Sequence, residues 1–472
     1  MLYSKSIYSQ RAALCSACLW WHLCLAIAIC LSLSFAALGQ SLPSEKAALS
    51  ASMNAPDKKR EKGLENYFDP KQGSSSADLV SLALSSNGEL AAARLNIERA
   101  RARVQQAGLR PNPSLDVERQ NGVFNSPGES ATMVGVSVPL EIGGKRGKRI
   151  DLAKAELEAA EADLADRERR LANTVRTTLA EALASLRELE ITQELIVIDT
   201  QAVQVIERRV KEGDAAPLEQ NLLRVELERI RSRRALVAGR LQAALLRLQT
   251  LVGMSVTQPL RLSEALASAS LPNPPGSLEA TLEIALRTRP DLRLAILGEE
   301  AAKAGLRLAQ AQAVPDVTLS ARYGITQSSF DSTPIGALND RDRIFTVGVS
   351  IPLPLFNRNQ GAKAESLASI TQSQRQREFV EQVVRAEVSS AWARYEAVKD
   401  AIKTFEDGVL TLSANNVRAV RGAYEIGEFR VSELLNEQRR LIDSQREYTE
   451  ALAERYRALS DLKAAIGTPE KQ

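Results

Sequence analysis

Apolar residues recur with a helical period over six long segments of this chain. The period predicts helices at about 77–108, 146–211, 216–251, 278–312, 361–426 and 431–466. A helix as long as the second segment would reach about 100 Å, several times the length of helices in globular domains. Alternating steps of four and three residues within it indicate a coiled-coil seam. The seam residues are Ala153, Leu157, Ala160, Leu164, Leu171 and Val175.

Four short segments alternate apolar and polar residues instead and are predicted to be strands. They lie at 114–118, 132–138, 316–323 and 346–351. Such a sheet is either a small soluble sheet with one buried face or part of a barrel with lipid outside and water within. The long helices favour the barrel, because nothing else in the chain offers the sheet a globular core. Four strands cannot close a barrel alone, so the barrel interpretation requires an oligomer.

The chain is internally duplicated. Leu84 matches Leu286 and Pro113 matches Pro315, both 202 positions apart. Val134–Leu140 resembles Val347–Leu353 at an offset of 213, and two glycines recur at an offset of 214. These pairs are Gly213 with Gly427 and Gly253 with Gly467. We therefore divide the chain into a first repeat at 76–270 and a second at 271–472.

The N-terminus resembles a secretory signal peptide at 1–39. Lys5 and Arg11 precede an apolar run, and small residues surround the expected cleavage site after Gly39. The mature chain would then begin near Gln40, with a flexible lead-in at 40–75. A retained membrane anchor is the alternative, because the run approaches the length that spans a bilayer.

Residue types restrict the chemistry of the mature chain. All four cysteines and the only histidine of the full chain fall inside the signal segment, at Cys15, Cys18, Cys24, Cys30 and His22, so the mature chain would contain neither residue type. Their position excludes Ser-His-Asp and Cys-His catalysis and sites built from histidine or thiolate ligands. No small residue precedes Cys24 or Cys30, so we expect no lipid anchor. Of the 61 basic residues, Lys5 and Arg11 lie in the signal segment, so the mature chain would carry 59 basic and 58 acidic residues, a balance that argues against nucleic acid as a partner. We therefore expect neither an enzyme nor a cofactor or metal site.

The order of elements and three motifs resemble the TolC-like outer-membrane factors, in particular the CzcC-like heavy-metal efflux branch. The motifs are Ala107–Pro113, Pro139–Arg146 and Pro352–Gly361. This resemblance implies an α+β membrane protein that forms a trimer. Its four strands per subunit would close a twelve-stranded outer-membrane barrel, which continues into a helical coiled-coil tunnel across the periplasm of a Gram-negative cell.

By the same resemblance, the chain is a passive duct of a tripartite efflux system. Its partners would be a periplasmic membrane-fusion adaptor, an inner-membrane RND pump and outer-membrane lipid. The exported solute would be a heavy-metal cation such as cobalt, zinc or cadmium. Multidrug efflux or type I secretion is one alternative, and a periplasmic coiled-coil adaptor or scaffold is another.

The resemblance also suggests site residues at two places. At the hairpin tips, Tyr424, Glu433 and Glu219 would line the periplasmic aperture, together with Asn436, which stands where the family often has a second acidic residue. Gly213 and Gly427 would form the tip turns. A glutamate at a helix N-terminus can also act as a cap alone, so this role stays open. At the strand-to-helix elbows, prolines would end strands and glycines would permit the turn: Pro139, Gly143, Gly144, Pro352, Pro354 and Gly361.

Overall fold

The computed structural model describes residues 66–121, 129–269, 271, 276–330 and 338–467. The expected signal peptide, its cleavage site and the first part of the lead-in lie outside these residues. The first half contains α1 (Ser76–Ser86), α2 (Gly88–Ala107), β1 (Ser114–Asn121), β2 (Ser130–Leu140), α3 (Lys145–Glu212) and α4 (Pro217–Leu251). The second half contains α5 (Leu278–Thr288), α6 (Pro290–Gln312), β3 (Val317–Phe330), β4 (Leu338–Ser350), α7 (Gln360–Thr404), α8 (Leu410–Glu425) and α9 (Val431–Ile466).

The first helix of each half is broken, so the prediction of single helices at 77–108 and 278–312 is wrong. Asn87 adopts an extended backbone between α1 and α2, and its side-chain oxygen accepts hydrogen bonds from the next helix at 2.9 and 3.1 Å. Arg289 is the equivalent residue between α5 and α6. Pro290 follows it at the first helical position, where its missing N–H costs nothing.

A π-helical turn at Phe405–Val409 separates α7 from α8. The expectation of an uninterrupted helix at 361–426 is therefore wrong for one turn, whereas α3 runs unbroken over 68 residues. Glu406 in the widened turn accepts a hydrogen bond from the Tyr448 hydroxyl of α9 at 2.8 Å. The aromatic ring of Tyr448 also lies 6.1 Å from that of Phe405. These contacts join the π-helical turn to α9.

The main core lies where α3, α4 and α9 pack around α1. Its deepest residues on the long first hairpin are apolar and fully buried: Val175, Leu179, Leu183, Val237, Leu241 and Leu248. Of the predicted seam, Ala153 and Val175 are buried, and Leu157, Ala160, Leu164 and Leu171 are half-buried. Burial on α3 is therefore greatest beyond the predicted seam, because α1 and α9 also cover that part of the helix.

Residues 66–75 are held in place, so the expectation of a flexible lead-in is wrong for this part. The Leu262 amide donates to the Tyr67 carbonyl at 2.9 Å, and the Leu262 carbonyl accepts from the Asp69 amide at 2.9 Å. The Ser74 amide donates to the Arg261 carbonyl, also at 2.9 Å. Leu262 itself is fully buried in the main core. Two segments that are about 190 residues apart in sequence thus pair with each other beside the main core.

The four strands form one antiparallel sheet in the order β1-β2-β3-β4. Paired residues place their side chains on the same face. One face carries apolar rows across the whole sheet: Leu115, Val136, Ala321 and Val347 form one row, and Val117, Val134, Tyr323 and Phe345 form the next. We call this the apolar face. The valine and leucine side chains on this face are exposed in the single chain. Among the described strands, β1 and β4 are the edge strands, and each has one unpaired edge.

Candidate site at the hairpin tips

Each hairpin has one glycine at its tip, directly after the helix that leads to the turn. Gly213 and Gly427 have φ angles of 86° and 82°, in the left-handed region that glycine adopts without a Cβ penalty. The next amide closes the last turn in both cases, from Asp214 to the Arg209 carbonyl at 2.8 Å and from Glu428 to the Ala423 carbonyl at 2.9 Å. The duplicated glycines therefore form equivalent tip turns.

The two tips pack against each other through an apolar cluster. It consists of Val203, Ile206, Leu223, Leu227, Val431 and Leu435, with Tyr424 at its edge. The first four residues belong to the first hairpin and the last two to α9. Separation of the tips would therefore expose apolar surface, which at about 25 cal/mol per Å² opposes opening.

Tyr424 contacts the first hairpin through charged residues. The Arg209 guanidinium lies 5.9 Å from the centre of the tyrosine ring, within the range of a cation–π interaction. Burial raises the pKa of the Tyr424 phenol, the negative charge of Glu219 raises it further, and Arg209 opposes the shift. Tyr424, Arg209 and Glu219 thus form one cluster that joins both hairpins, which we call the tip cluster.

Glu219 and Glu433 occupy the same place in the two repeats and make different contacts. Each is the third residue of the returning helix. The Glu433 carboxylate accepts a hydrogen bond from the Arg430 amide at 2.8 Å and so caps its own helix. Glu219 interacts with Tyr424 instead. Asn436 is exposed one turn after Glu433. The structure therefore brings Tyr424 together with Glu219, and it leaves Glu433 and Asn436 outside the tip cluster.

Sequence reasoning missed Arg209 and a second charged group further from the tip. Asp199 of α3 is only 4% exposed, and burial raises its pKa to about 6, with the charge of Glu226 adding to the rise and Arg421 opposing it. Glu226 of α4 accepts from Arg229 at 3.2 Å and from Arg439 of α9 at 2.7 Å. Charges on long helices are usually solvated, so the sequence pattern gave no signal for a buried carboxylate here.

The first elbow lies between β2 and α3. Pro139 stands past the last residue that pairs with β1, but it still pairs with Thr318 of β3, and β2 ends only at Leu140. The expectation that Pro139 ends the strand is therefore wrong, because its missing N–H leaves the ladder with β3 intact. Gly143 and Gly144 follow with φ angles of 74° and 71°. The Lys145 ammonium then donates to Asp316, just before β3, at 2.8 Å. This ion pair ties the first elbow to the second repeat.

The second elbow, between β4 and α7, differs from the expectation. Pro352 and Pro354 follow the end of β4 at Ser350, but Gly361 is the second residue of α7 and has no left-handed φ. Asn359 takes the left-handed conformation instead, with φ of 59°. Its side-chain amide donates to the Ala309 carbonyl of α6 at 2.8 Å. The expectation for Gly361 is wrong because asparagine tolerates this conformation and gains a hydrogen bond in it.

Among the described residues, no group of three or more His, Cys, Asp or Glu side chains is arranged to hold a metal ion. In the same part of the chain, no helix has the length and apolar character needed to cross a membrane.

Comparisons with known proteins agree with this architecture. The cobalt-zinc-cadmium resistance protein CzcC of Cupriavidus metallidurans is 25% identical over 402 residues, which cover 82% of this chain and 88% of the relative. The pyoverdine export outer membrane protein OpmQ of Pseudomonas putida is 26% identical over 410 residues, covering 82% of this chain and 83% of that protein. A crystal structure of CusC superimposes with a TM-score of 0.70 at 22% identity and covers 86% of this chain and 95% of its own, which shows a shared fold.

A family description matches both halves of the chain. The family is described as "Outer membrane efflux protein", and it matches residues 79–254 and 281–468. Each matched segment contains one set of helices, strands and long hairpin as described above. The chain therefore belongs to the outer membrane efflux protein family.

Proposed function

We propose that three copies of this chain form the outer-membrane duct of a tripartite efflux system and pass heavy-metal cations out of the cell. The duct would act with a periplasmic membrane-fusion adaptor and an inner-membrane RND pump. It would provide a passive path and carry out no chemical reaction. The family supplies the outer-membrane location and the efflux role, and the trimer, the partners and the solute are our proposals.

The sheet carries the proposal of a shared barrel. Its two unpaired edges would leave backbone N–H and C=O groups without partners in lipid, at a cost of several kcal/mol per group. Pairing β4 of one copy with β1 of the next satisfies both edges at once. Three sheets of four strands then close a twelve-stranded barrel, with the apolar face towards lipid.

The charges on the opposite face of the sheet support the proposal that the exported solute is a cation. It carries four acidic residues and one basic residue: Asp116, Glu118, Asp340, Asp342 and Arg322. In the proposed barrel this face lines the interior, where an excess of carboxylates favours cations. The name of CzcC agrees with metal cations, whereas the name of OpmQ favours the alternative, a larger organic solute.

We further propose that the tip cluster closes the periplasmic entrance. Tyr424 supplies bulk, and Arg209 and Glu219 hold it across two hairpins. A periplasmic adaptor is the weaker alternative, because such a protein needs a single hairpin and this chain has two hairpins and a duplicated strand pair.

Disulfide crosslinking tests the barrel. The chain contains no cysteine after Cys30, so introduced cysteines would be the only thiols of the mature chain. Val117→Cys on β1 is combined in turn with a cysteine at Phe345, Val347 or Val349 on β4. Within one sheet β1 and β4 lie about 14 Å apart, too far for a disulfide. Covalent trimers in at least one combination are expected, and Val117→Cys alone is the control. Monomers in every combination would overturn the barrel.

Resistance tests identify the solute. A strain without this chain should lose resistance to cobalt, zinc or cadmium and keep its resistance to hydrophobic drugs, and the intact gene should restore metal resistance. The reverse result would favour multidrug efflux over the proposed metal function.

A further inference from the structure

The apolar face of the sheet ends in arginines on the side away from the helices. Beyond the row of Val117 and Phe345, the next row on the same face contains Arg119, Thr132, Ile325 and Arg343. One row further lie Asn121, Ser130, Gln327 and Arg341. Residues two apart on a strand are separated by about 7 Å, so the arginines begin about 7 Å past the last apolar row. We call Arg119, Arg341 and Arg343 the arginine border.

The connectivity shows which end of the sheet carries the border. At the other end, β2 leads within five residues into α3, and β4 leads into α7 after the second elbow. The border lies at the end where β1 connects to β2 and β3 connects to β4. With the helices in the periplasm, this end faces the outer leaflet of the outer membrane. That leaflet of a Gram-negative cell is rich in phosphorylated glycolipid.

Charges are separated across the sheet. The acidic residues nearest in sequence lie on the opposite face: Glu118 precedes Arg119, and Asp340 and Asp342 alternate with Arg341 and Arg343. Accordingly, the described residues provide no ion pair to any arginine of the border, and Arg119 donates only to the Asn121 side chain at 3.4 Å. Many arginines of the helical body are paired, as Arg289 is with Asp291 at 2.5 Å.

We propose that the arginine border binds the phosphate groups of the outer-leaflet glycolipid, with Arg341 and Arg343 as its main clamp. This inference rests on the proposed barrel, in which the apolar face contacts lipid. Arg341 and Arg343 lie about 7 Å apart on one strand, so two guanidinium groups can bind one phosphate or two adjacent ones. Guanidinium forms paired hydrogen bonds with phosphate oxygens, which suits arginine for this contact better than lysine.

The alternative is that the border pairs with acidic residues of the next copy, since β4 is an edge strand. In that case removal of the arginines would weaken the oligomer without affecting lipid binding. The two interpretations differ in whether lipid binding requires the phosphate groups of the lipid. An ion pair between protein copies does not depend on the lipid.

Purified oligomer in uncharged detergent tests the proposal, with diphosphoryl lipid A as the probe. The variant is R119Q/R341Q/R343Q, and the matched control is Arg322→Gln, which removes one cation from the opposite face of the same sheet. Near a membrane surface each arginine contributes about a fivefold gain in affinity, so the triple variant should bind lipid A roughly 100-fold more weakly. Arg322→Gln should bind it as the unchanged protein does.

Unchanged affinity in the triple variant would overturn the proposal. A measurement on the unchanged protein is equally decisive and needs no variant: lipid A without phosphate should bind much more weakly than the diphosphoryl form. Equal binding of both forms would refute the phosphate contact even if the triple variant fails to fold. Should the protein form no oligomer and no crosslinked trimer, the proposed barrel fails instead.

Discussion

Replacement of Asp199 by asparagine should stabilise the packing of the two hairpins at neutral pH. Asp199 lies on α3 near the tip, 4% exposed, and the groups that face it are Glu226 of α4 and Arg421 of α8. Glu226 is itself held by Arg229 and Arg439. Asp199 is therefore a carboxylate whose charge is buried beside another negative charge.

The sign and size of the effect follow from its pKa. Burial raises the pKa of Asp199 from 3.8 to about 6, so the packed state binds the proton more tightly than the unfolded chain does. This stabilisation is complete below pH 3.8 and is lost as the pH rises through about 6. A pKa raised from 3.8 to about 6 corresponds to about 3 kcal/mol. Asparagine avoids the charge but still buries an amide, so we expect a net gain of about 2 kcal/mol at about pH 7.5.

Hydrogen exchange measured by mass spectrometry tests this locally. After correction for the intrinsic rate, peptides around Asp199 in the unchanged protein should exchange faster as the pH rises from about 5 to about 7.5, because local opening becomes easier. In Asp199→Asn this dependence should vanish, and exchange at about pH 7.5 should be roughly 30-fold slower.

Glu207→Gln is the matched control on the same helix. Glu207 accepts from Arg224 at 2.5 Å, and this hydrogen bond lowers its pKa, so it does not titrate near pH 6. The control should keep the pH dependence of the unchanged protein. Equal pH dependence in Asp199→Asn and the unchanged protein, or faster exchange in the asparagine variant at neutral pH, would refute the reasoning.

Three other substitutions have defined outcomes. Combined replacement of Tyr424 and Glu219 by alanine should raise single-channel conductance in a planar bilayer and lower the preference of the channel for cations. The change in cation preference should become smaller at high salt, because the screening length falls from about 10 Å at 0.1 M salt to about 3 Å at 1 M. Arg289→Ala should lower the free energy of unfolding by about 3 kcal/mol in urea titration, since the arginine side chain is 1% exposed and its loss leaves the half-buried Asp291 without its main partner. Gly253→Ala should lower the thermal midpoint, because its φ is 71° and a Cβ would lie 2.5 Å from the Ser86 carbonyl oxygen.

Each of these has a matched control. Glu433→Ala removes only a helix cap, so a rise in conductance equal to that of the Tyr424 and Glu219 variant would contradict the assignment of the tip cluster. Arg287→Ala breaks an exposed pair with Glu283, worth about 0.5 kcal/mol, and a loss as large as that of Arg289→Ala would contradict the buried network. Gly213 has φ of 86° but open space around it, so Gly213→Ala should cost less than Gly253→Ala.

Local sequence patterns determined the elements and their order. Hydrophobic periodicity gave the extent of α3, α4 and α9 to within a residue or two, because long helices repeat their signal many times. The sequence also predicted the tip turns at Gly213 and Gly427, since the left-handed residue that follows a helix is most often a glycine. The apolar and polar faces of the sheet followed from alternation, because a strand has a period of two.

Tertiary structure decided which charged residues are buried and which duplicated residues diverge. Glu219 and Glu433 have the same local position, and only the approach of Tyr424 from the other hairpin gives Glu219 a different contact. Asp199 is one of many charges on α3, and it is buried because α4 and the second hairpin cover it. Contacts between segments distant in sequence fix these roles, and no periodicity within a single segment contains that information.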